Sequence, residues 1–375
     1  MRKIKICHLT SVHSAKDVRI FVKECRSLAF AGYEVTLIAP NAFNEVVDGV
    51  SIVGVNISYA NRLYRIFKAS NIVFSKALEI DADIYHIHDP ELLPYGVKLK
   101  KIGKKVIFDS HEDVPKQILN RRWLPILFRN IVSFAYKIYE KKCLKIFDAV
   151  ISVNNTIVDR LKKINKNTVC VTNFPCLTEY VSNHDINKEQ AICFAGSISP
   201  VYMHHIILDA LEELEDVKYL LAGAVDRDYM TILQKKSAWR KVEYLGYVNR
   251  KQVYDMYDRS IAGVAILDFI PSIGGKKGGI GFIKNFEFMM AGLPIICTDF
   301  EEWREIIEKY NCGICVNPTN KKEISDAISF LLKNPDTAKL MGQNGRRAVE
   351  EKYNWGTQEI VLLKLYDNLS RDMIG

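Results

Sequence analysis

"GGKKGGIGFIKNFEFMMAGLPIICTD", Gly274 to Asp299, carries three structural signals in one run. A loop rich in glycine and lysine leads into "FIKNFEFMMAG", whose pattern suits a helix, and Gly292-Leu293-Pro294 closes it before the apolar run "PIICTD". Loop, helix and buried strand form the repeating step of an open α/β sheet. The stretch has two acidic side chains, and only Glu287 lies inside it; Asp299 is the closing residue. A helix that starts after the glycine loop offers phosphate its free N–H groups and the positive end of its dipole, with the charge of Lys284 beside them. Glu287 is one turn further in. A carboxylate there repels phosphate but can accept two hydrogen bonds from a vicinal diol such as a ribose. The helix dipole alone also stabilises an early glutamate, so the residues by themselves leave both readings open.

The same alternation extends in both directions. "AICFAGSIS", "KYLLAGA", "VEYLGYV", "IAGVAIL", "PIICTD" and "GICVNP" predict the strands of one doubly wound sheet. Upstream, "KIKICHLT", the helical "RIFVKECRSLAFAG" closed by Gly32, "YEVTLIAP", "SIVGV", "DIYHIHD", "KVIFDSH" and "AVISV" predict another, parallel and covered on both faces. "VCVTNFPCLTEYVSNHDINKEQ" breaks the periodicity and marks the boundary. The expected organisation is α/β, two tandem Rossmann-like domains at 1–175 and 190–353, with the ligand in the cleft between them. A final helix, 354–375, is capped by Asn354 and packs back on the first domain.

Composition narrows the function. In 375 residues, 52 Lys and Arg stand against 44 Asp and Glu, a net charge of +8 that favours anionic partners. Nine cysteines, an odd number, with no secretory start, predict reduced thiols in the cytoplasm. "CGIC" (Cys312 to Cys315) has no second pair to build a metal site, and no stretch is apolar for long enough to span a membrane. A dinucleotide fingerprint and a phosphate loop of the G-x-x-x-x-G-K-[ST] type are both absent. No nucleic-acid-binding module is recognisable either.

Two strand ends in the first half are dense in polar chemistry. His86 and His88, two apart, share one face of their strand, and the next strand ends in Asp109, His111, Glu112 and Asp113. They read either as the wall of a site or as polar residues closing a buried strand. The ligand spacing does not support a metal centre, and none is expected. Asp81-Ala-Asp83 and Asp226-Arg-Asp228 match a cation-holding D-x-D pattern but fall in the wrong context.

"KNFEFMMAGLPIICTD" resembles the signature of the GT-B glycosyltransferases of family 4, in which a Glu heads the helix of an E-x-x-A-x-G-x-P-V-I run. "FAGSIS", "LLAGA", "EYLGYVNRKQVYDMY" and "YNWGTQ" extend the resemblance over nearly the whole chain. It implies that Glu287 binds the ribose of a UDP- or GDP-linked sugar, which is a substrate and not a cofactor. Gly196, Ser197, Gly223, Tyr247, Val248, Gly278, Gly279, Asn285 and Phe286 would line the donor site. His111 would contact the donor sugar or the reacting centre, and His13, Arg19, His88 and Glu112 would face the acceptor. The reaction implied is metal-independent sugar transfer with retention, Lys284 and helix N-termini stabilising the leaving diphosphate and closure of the two halves excluding water.

The departures are specific. Gly279 stands where the family often has a second Glu eight residues ahead of the first. "GSISPVYMHH" lacks the usual Arg and Lys, so Lys284, with Lys276 or Lys277, has to supply the charge. "KQILNRRWLPILFRNIVSFAYKIYEKKCLK", Lys116 to Lys145, interleaves basic, aromatic and apolar residues around the single acid Glu140, and Asn61 to Lys76 is similar. Such segments suit an anionic bilayer surface or an ordinary amphipathic packing helix. The first option implies a peripheral membrane enzyme in surface polysaccharide biosynthesis with a lipid-linked or oligosaccharide acceptor. A nucleotide-sugar 2-epimerase and a catalytically degenerate nucleotide-sugar-binding subunit are the alternatives.

Overall fold

A computed structural model describes residues 2–57, 65–121, 124–180, 188–270 and 274–374. The chain forms two compact units, Met1–Asn173 together with Gly356–Gly375, and Phe174–Trp355. In the first, eight strands run in the order β3-β4-β2-β1-β5-β6-β7-β8. These are β1 (Lys5–Leu9), β2 (Glu34–Pro40), β3 (Glu45–Val47), β4 (Val50–Val55), β5 (Ile84–Ile87), β6 (Lys105–Ser110), β7 (Ala149–Ser152) and β8 (Thr168–Cys170). All pairs are parallel except β3 with β4, a short antiparallel edge.

The second unit orders six parallel strands β11-β10-β9-β12-β13-β14. They are β9 (Ala191–Ala195), β10 (Lys218–Ala222), β11 (Val242–Tyr244), β12 (Ala262–Ala265), β13 (Ile295–Thr298) and β14 (Gly313–Val316). Helices on both faces leave these strands without a wet side, so β9, β12 and β13 are buried at every residue. In each sheet the connections leave the first strand in opposite directions, at β1/β5 and at β9/β12. Crevices that take ligands open beyond the carboxyl ends of strands at such switch points.

Local chemistry explains several boundaries. Asp17 accepts from the backbone N–H groups of Arg19 and Ile20, so the first helix starts at Val18 and Arg19 lies in its first turn. Gly32, at φ +98°, ends the α-helical continuation Arg26–Phe30. Asp226 caps the helix Arg227–Gln234, and Asp83 accepts from the Lys5 amide and Arg2, which gives both D-x-D pairs structural employment. The Asn354 side-chain amide donates to the carbonyls of Val349 and Glu350, so it closes the helix Pro335–Glu351. In the first unit the helix Trp355–Ile374 brings Tyr366 to His86 at 2.8 Å.

Candidate functional site

In the second unit Glu287 sits in the helix Ile283–Met290, whose first turn no side chain caps. Its carboxylate is nearly enclosed, at 6% exposure, and both oxygens are engaged: Oε1 accepts from Arg250 Nη1 at 2.7 Å, and Oε2 from Lys284 Nζ at 2.8 Å and the Tyr257 hydroxyl at 3.1 Å. Burial opposes ionisation, but Lys284 and Arg250 override it and hold the carboxyl at a pKa of about 2. Arg250 enters from the helix Arg250–Arg259, which a reciprocal Asn249/Gln252 capping box fixes at its start. Sequence reasoning missed Arg250 and Tyr257. The only signal was their place in "VNRKQVYDMY", inside a stretch carrying the family resemblance.

Glycines bring the strand ends of this unit together. Gly223 follows β10 at φ +133°, and a Cβ there would lie 1.8 Å from the Gly196 carbonyl oxygen, so only glycine fits. Gly196 donates to the Ala222 carbonyl and Gly223 to that of Gly246, while a Cβ on Gly196 would come within 3.4 Å of Lys284 Cε. Gly196, Gly223 and Lys284 thus form one cluster, with Ser197 exposed beside it.

The other expected donor residues differ in exposure and in what they touch. Phe286 is fully buried among Phe174, Trp303 and Tyr353, so it is a core residue; the helix face that presents Glu287 turns its neighbour inward. Tyr247 is 88% exposed and Val248 packs against the core. Asn285 is buried with its Oδ1 lacking a hydrogen-bond partner. Gly278 and Gly279 are buried, and the N–H groups of Gly275, Gly278 and Ile280 are already donated to Ile270, Gly275 and the Glu302 carboxylate. Lys276 and Lys277 are exposed, and their carbonyls accept from Glu301 and Glu302.

In the first unit a cavity of about 680 Å³ opens beside the ends of β5 and β6. Its polar wall is His13, His88, Asp89, Asp109, His111 and Glu112; its apolar wall includes Tyr95, Ile118, Leu124, Val132, Tyr136 and Tyr139. His111 Nε2 stands 3.1 Å from Asp109 Oδ2 and 3.2 Å from His88 Nδ1. Hydrogen bonding to Asp17 raises the pKa of His13 against the effect of burial, and Asp89 adds to the rise. Glu112 is exposed at the rim.

Arg19 was expected to face the acceptor but is 5% exposed. It donates to both oxygens of buried Asp109 at 2.8 and 2.9 Å and to the Val171 carbonyl, and pairs with Glu24 at 3.1 Å. A guanidinium can be buried only with such partners, and none of its donors points outward. His88, at 2% exposure, is likewise committed, Nε2 to His8 at 2.9 Å and Nδ1 to His111. It forms the wall without offering a free nitrogen to the cavity.

The helix Ile126–Leu144 inverts the usual packing rule. Ile126, Leu127, Phe128, Ile131 and Phe134 are 56–83% exposed, while the single acid Glu140 is turned inward to Arg160. Exposed apolar side chains therefore alternate with Lys137, Lys141 and Lys142 without an outward carboxylate. Arg122 and Trp123 lie outside the described residues, as do 61–64 of the similar upstream segment. In that segment Ala69, Val73 and Ala77 pack into the core and Phe67 stays exposed, so its described part is mainly a packing helix. No described helix is long and apolar enough to cross a membrane.

Comparison with known proteins agrees with this architecture. Residues 19–173 match the model "Glycosyltransferase Family 4" and residues 178–348 the model "Glycosyl transferases group 1". The chain belongs to the GT-B glycosyltransferases of the family 4 kind, and it is an enzyme of that class. The phosphatidyl-myo-inositol mannosyltransferase of Mycobacterium leprae is 25% identical over 304 residues, which are 77% of this chain and 74% of that protein. Sucrose-phosphate synthase from Thermosynechococcus elongatus superposes with a TM-score of 0.78 at 16% identity, over 98% of this chain and 99% of its own. HepE of Anabaena, solved with UDP and glucose, gives 0.73 at 12% identity over 97% and 100%. At such identities the structures speak to the fold alone.

Proposed function

We propose that the chain moves a hexose from a UDP- or GDP-linked donor, with retention and without a metal in the transfer step, to a lipid-linked glycan in surface polysaccharide biosynthesis. It works in the cytoplasm, on the inner face of the cytoplasmic membrane. The observation that carries the reading is the enclosed, ionised Glu287 held by Lys284 and Arg250. On this reading the ribose hydroxyls displace the two cations from the carboxylate. The cations then turn to the diphosphate, and their charge is retained where the leaving group develops its own. Gly196 and Gly223 let the backbone approach the phosphates closely. The acceptor hydroxyl enters beside His111 and Glu112, and the apolar wall of the cavity and the exposed face of Ile126–Leu144 support an amphiphilic acceptor at an anionic surface.

A thermal-shift panel of UDP, GDP, ADP and CMP with their sugar conjugates tests the donor half. Uridine is the first base to try, since HepE was solved with UDP. One nucleotide series should raise the melting temperature; no shift from any of them overturns the reading. Nucleotide release that depends on added acceptor separates transfer from the 2-epimerase and from a non-catalytic binding subunit.

The membrane half is tested by flotation with vesicles containing phosphatidylglycerol. The double variant Leu127→Glu/Ile131→Glu alters exposed side chains one turn apart, so folding should survive while vesicle binding drops about 10-fold or more. Equal flotation of the variant and the wild type would remove the membrane from the proposal.

A further inference from the structure

The first unit holds a buried side-chain cluster of which only His88 borders the cavity. His8 on β1 and His86 on β5 are direct partners in the parallel register, so their side chains share a face of the sheet. His88, two residues beyond His86, follows on that face, and the rings of His86 and His88 stack at 4.4 Å. Glu24, from the segment Val18–Cys25, covers them. Exposure of the four is 0–2%.

We propose that His8, Glu24, His86 and His88 bind a transition-metal ion of zinc type in a closed, structural site. One ligand atom from each of the four lies within 4.8 Å of the others. Nδ1 of His8 is 2.9 Å from Nε2 of His88, and Glu24 Oε2 is 4.0 Å from His88 Nε2; His86 would bind through Nε2, since Tyr366 holds its Nδ1. Metal–ligand bonds of about 2.0–2.1 Å place tetrahedral ligands about 3.3 Å apart, so these gaps straddle the required edge.

An independent observation points the same way. Glu24 Oε2 and His86 Nε2 are buried and make no hydrogen bond among the described residues. Arg19 faces Glu24 Oε1 at 3.1 Å, which leaves Oε2, the oxygen nearest the histidines, to serve as the fourth ligand. Orphaned buried groups of this kind call for an occupant.

Loading would replace the proton shared by His8 and His88. The Tyr366 hydroxyl, 2.8 Å from His86 Nδ1 and 3.4 Å from His8 Nε2, would remain as the outer hydrogen-bond partner that orients the rings. Three His and one Glu with no open position define a structural site, tying β1, β5 and the first helix of the unit together. The sequence spacing conceals it, because the ligands come from three separate segments. The inference is independent of the donor and acceptor assignments.

Because the site is enclosed, the metal must enter as the chain folds. The full chain is therefore expressed in zinc- or cobalt-supplemented medium, dialysed, and analysed for metal. The expected result is about one ion retained per chain, four-coordinate visible bands in the cobalt form, and a melting temperature roughly 5 °C or more above that of chain folded in chelator. Glu24→Gln, isosteric and uncharged, should retain less than a tenth of the metal, and His111→Gln should retain it fully. If Glu24→Gln does not fold, the cobalt spectrum of the wild type decides. A wild type without metal, or with cobalt bands of octahedral type, overturns the proposal. So does loss of metal in His111→Gln with retention in Glu24→Gln, which would place the ion on the outer trio His88, Asp109 and His111.

Discussion

Replacing Glu287 by glutamine is expected to weaken binding of the nucleotide sugar by about 10- to 100-fold, measured by calorimetry on the full chain. The carboxylate is the only anion in the group formed with Lys284, Arg250 and Tyr257, so an amide there cannot accept two charge-assisted hydrogen bonds from a diol. Each such bond contributes about 1.5–3 kcal/mol, offset by the release of the cations it displaces. The free enzyme should change as well. A carboxyl whose folded pKa is depressed to about 2 stabilises the fold above its unfolded value, near 4, and that contribution disappears as pH falls towards 2. The melting temperatures of wild type and Glu287→Gln should therefore differ at pH 7 and converge between about pH 4 and pH 2. An unchanged nucleotide affinity would remove Glu287 from the ribose.

The architecture was readable because parallel strands covered on both faces are written as continuous apolar runs, as in "AICFA" and "PIICT". Strands β3 and β8, three residues each, escaped; β11 is as short, but the apolar run "VEYLGYV" around it marked it. Local pattern likewise placed Glu287 and Lys284 on one helix, one turn apart. It could not find Arg250, which reaches the same carboxylate from 37 residues upstream. Arg19 misled for the opposite reason: the family resemblance set it facing the acceptor, and only the fold supplies Asp109 and Glu24 to bury it. For Ile126–Leu144 the composition showed a basic, apolar helix, but which face is left uncovered depends on the inward turn of Glu140 to Arg160.

Substituting His111 by alanine is expected to lower kcat by about 10²- to 10³-fold while leaving nucleotide affinity within about twofold of wild type. The expectation rests on how firmly the ring is placed. Arg19 locks both oxygens of Asp109, and burial, which would neutralise that carboxylate, is overcome by Arg19 and His111, so its pKa falls well below the usual range. The fixed anion stands 3.1 Å from His111 Nε2, and His88 closes the other approach to the same nitrogen at 3.2 Å. The imidazole is thereby held at the polar end of the cavity, 19% exposed. A ring so positioned can hydrogen-bond the sugar or the incoming hydroxyl in the transition state. Because His111 and Glu287 belong to different units, removing the ring should leave the nucleotide contacts untouched. Asparagine at 111 keeps a donor of shorter reach and should recover part of the loss. If alanine and asparagine lower kcat equally and also weaken the nucleotide, the ring is supporting structure and not chemistry. A fall in kcat alone, partly rescued by asparagine, assigns His111 to the chemical step.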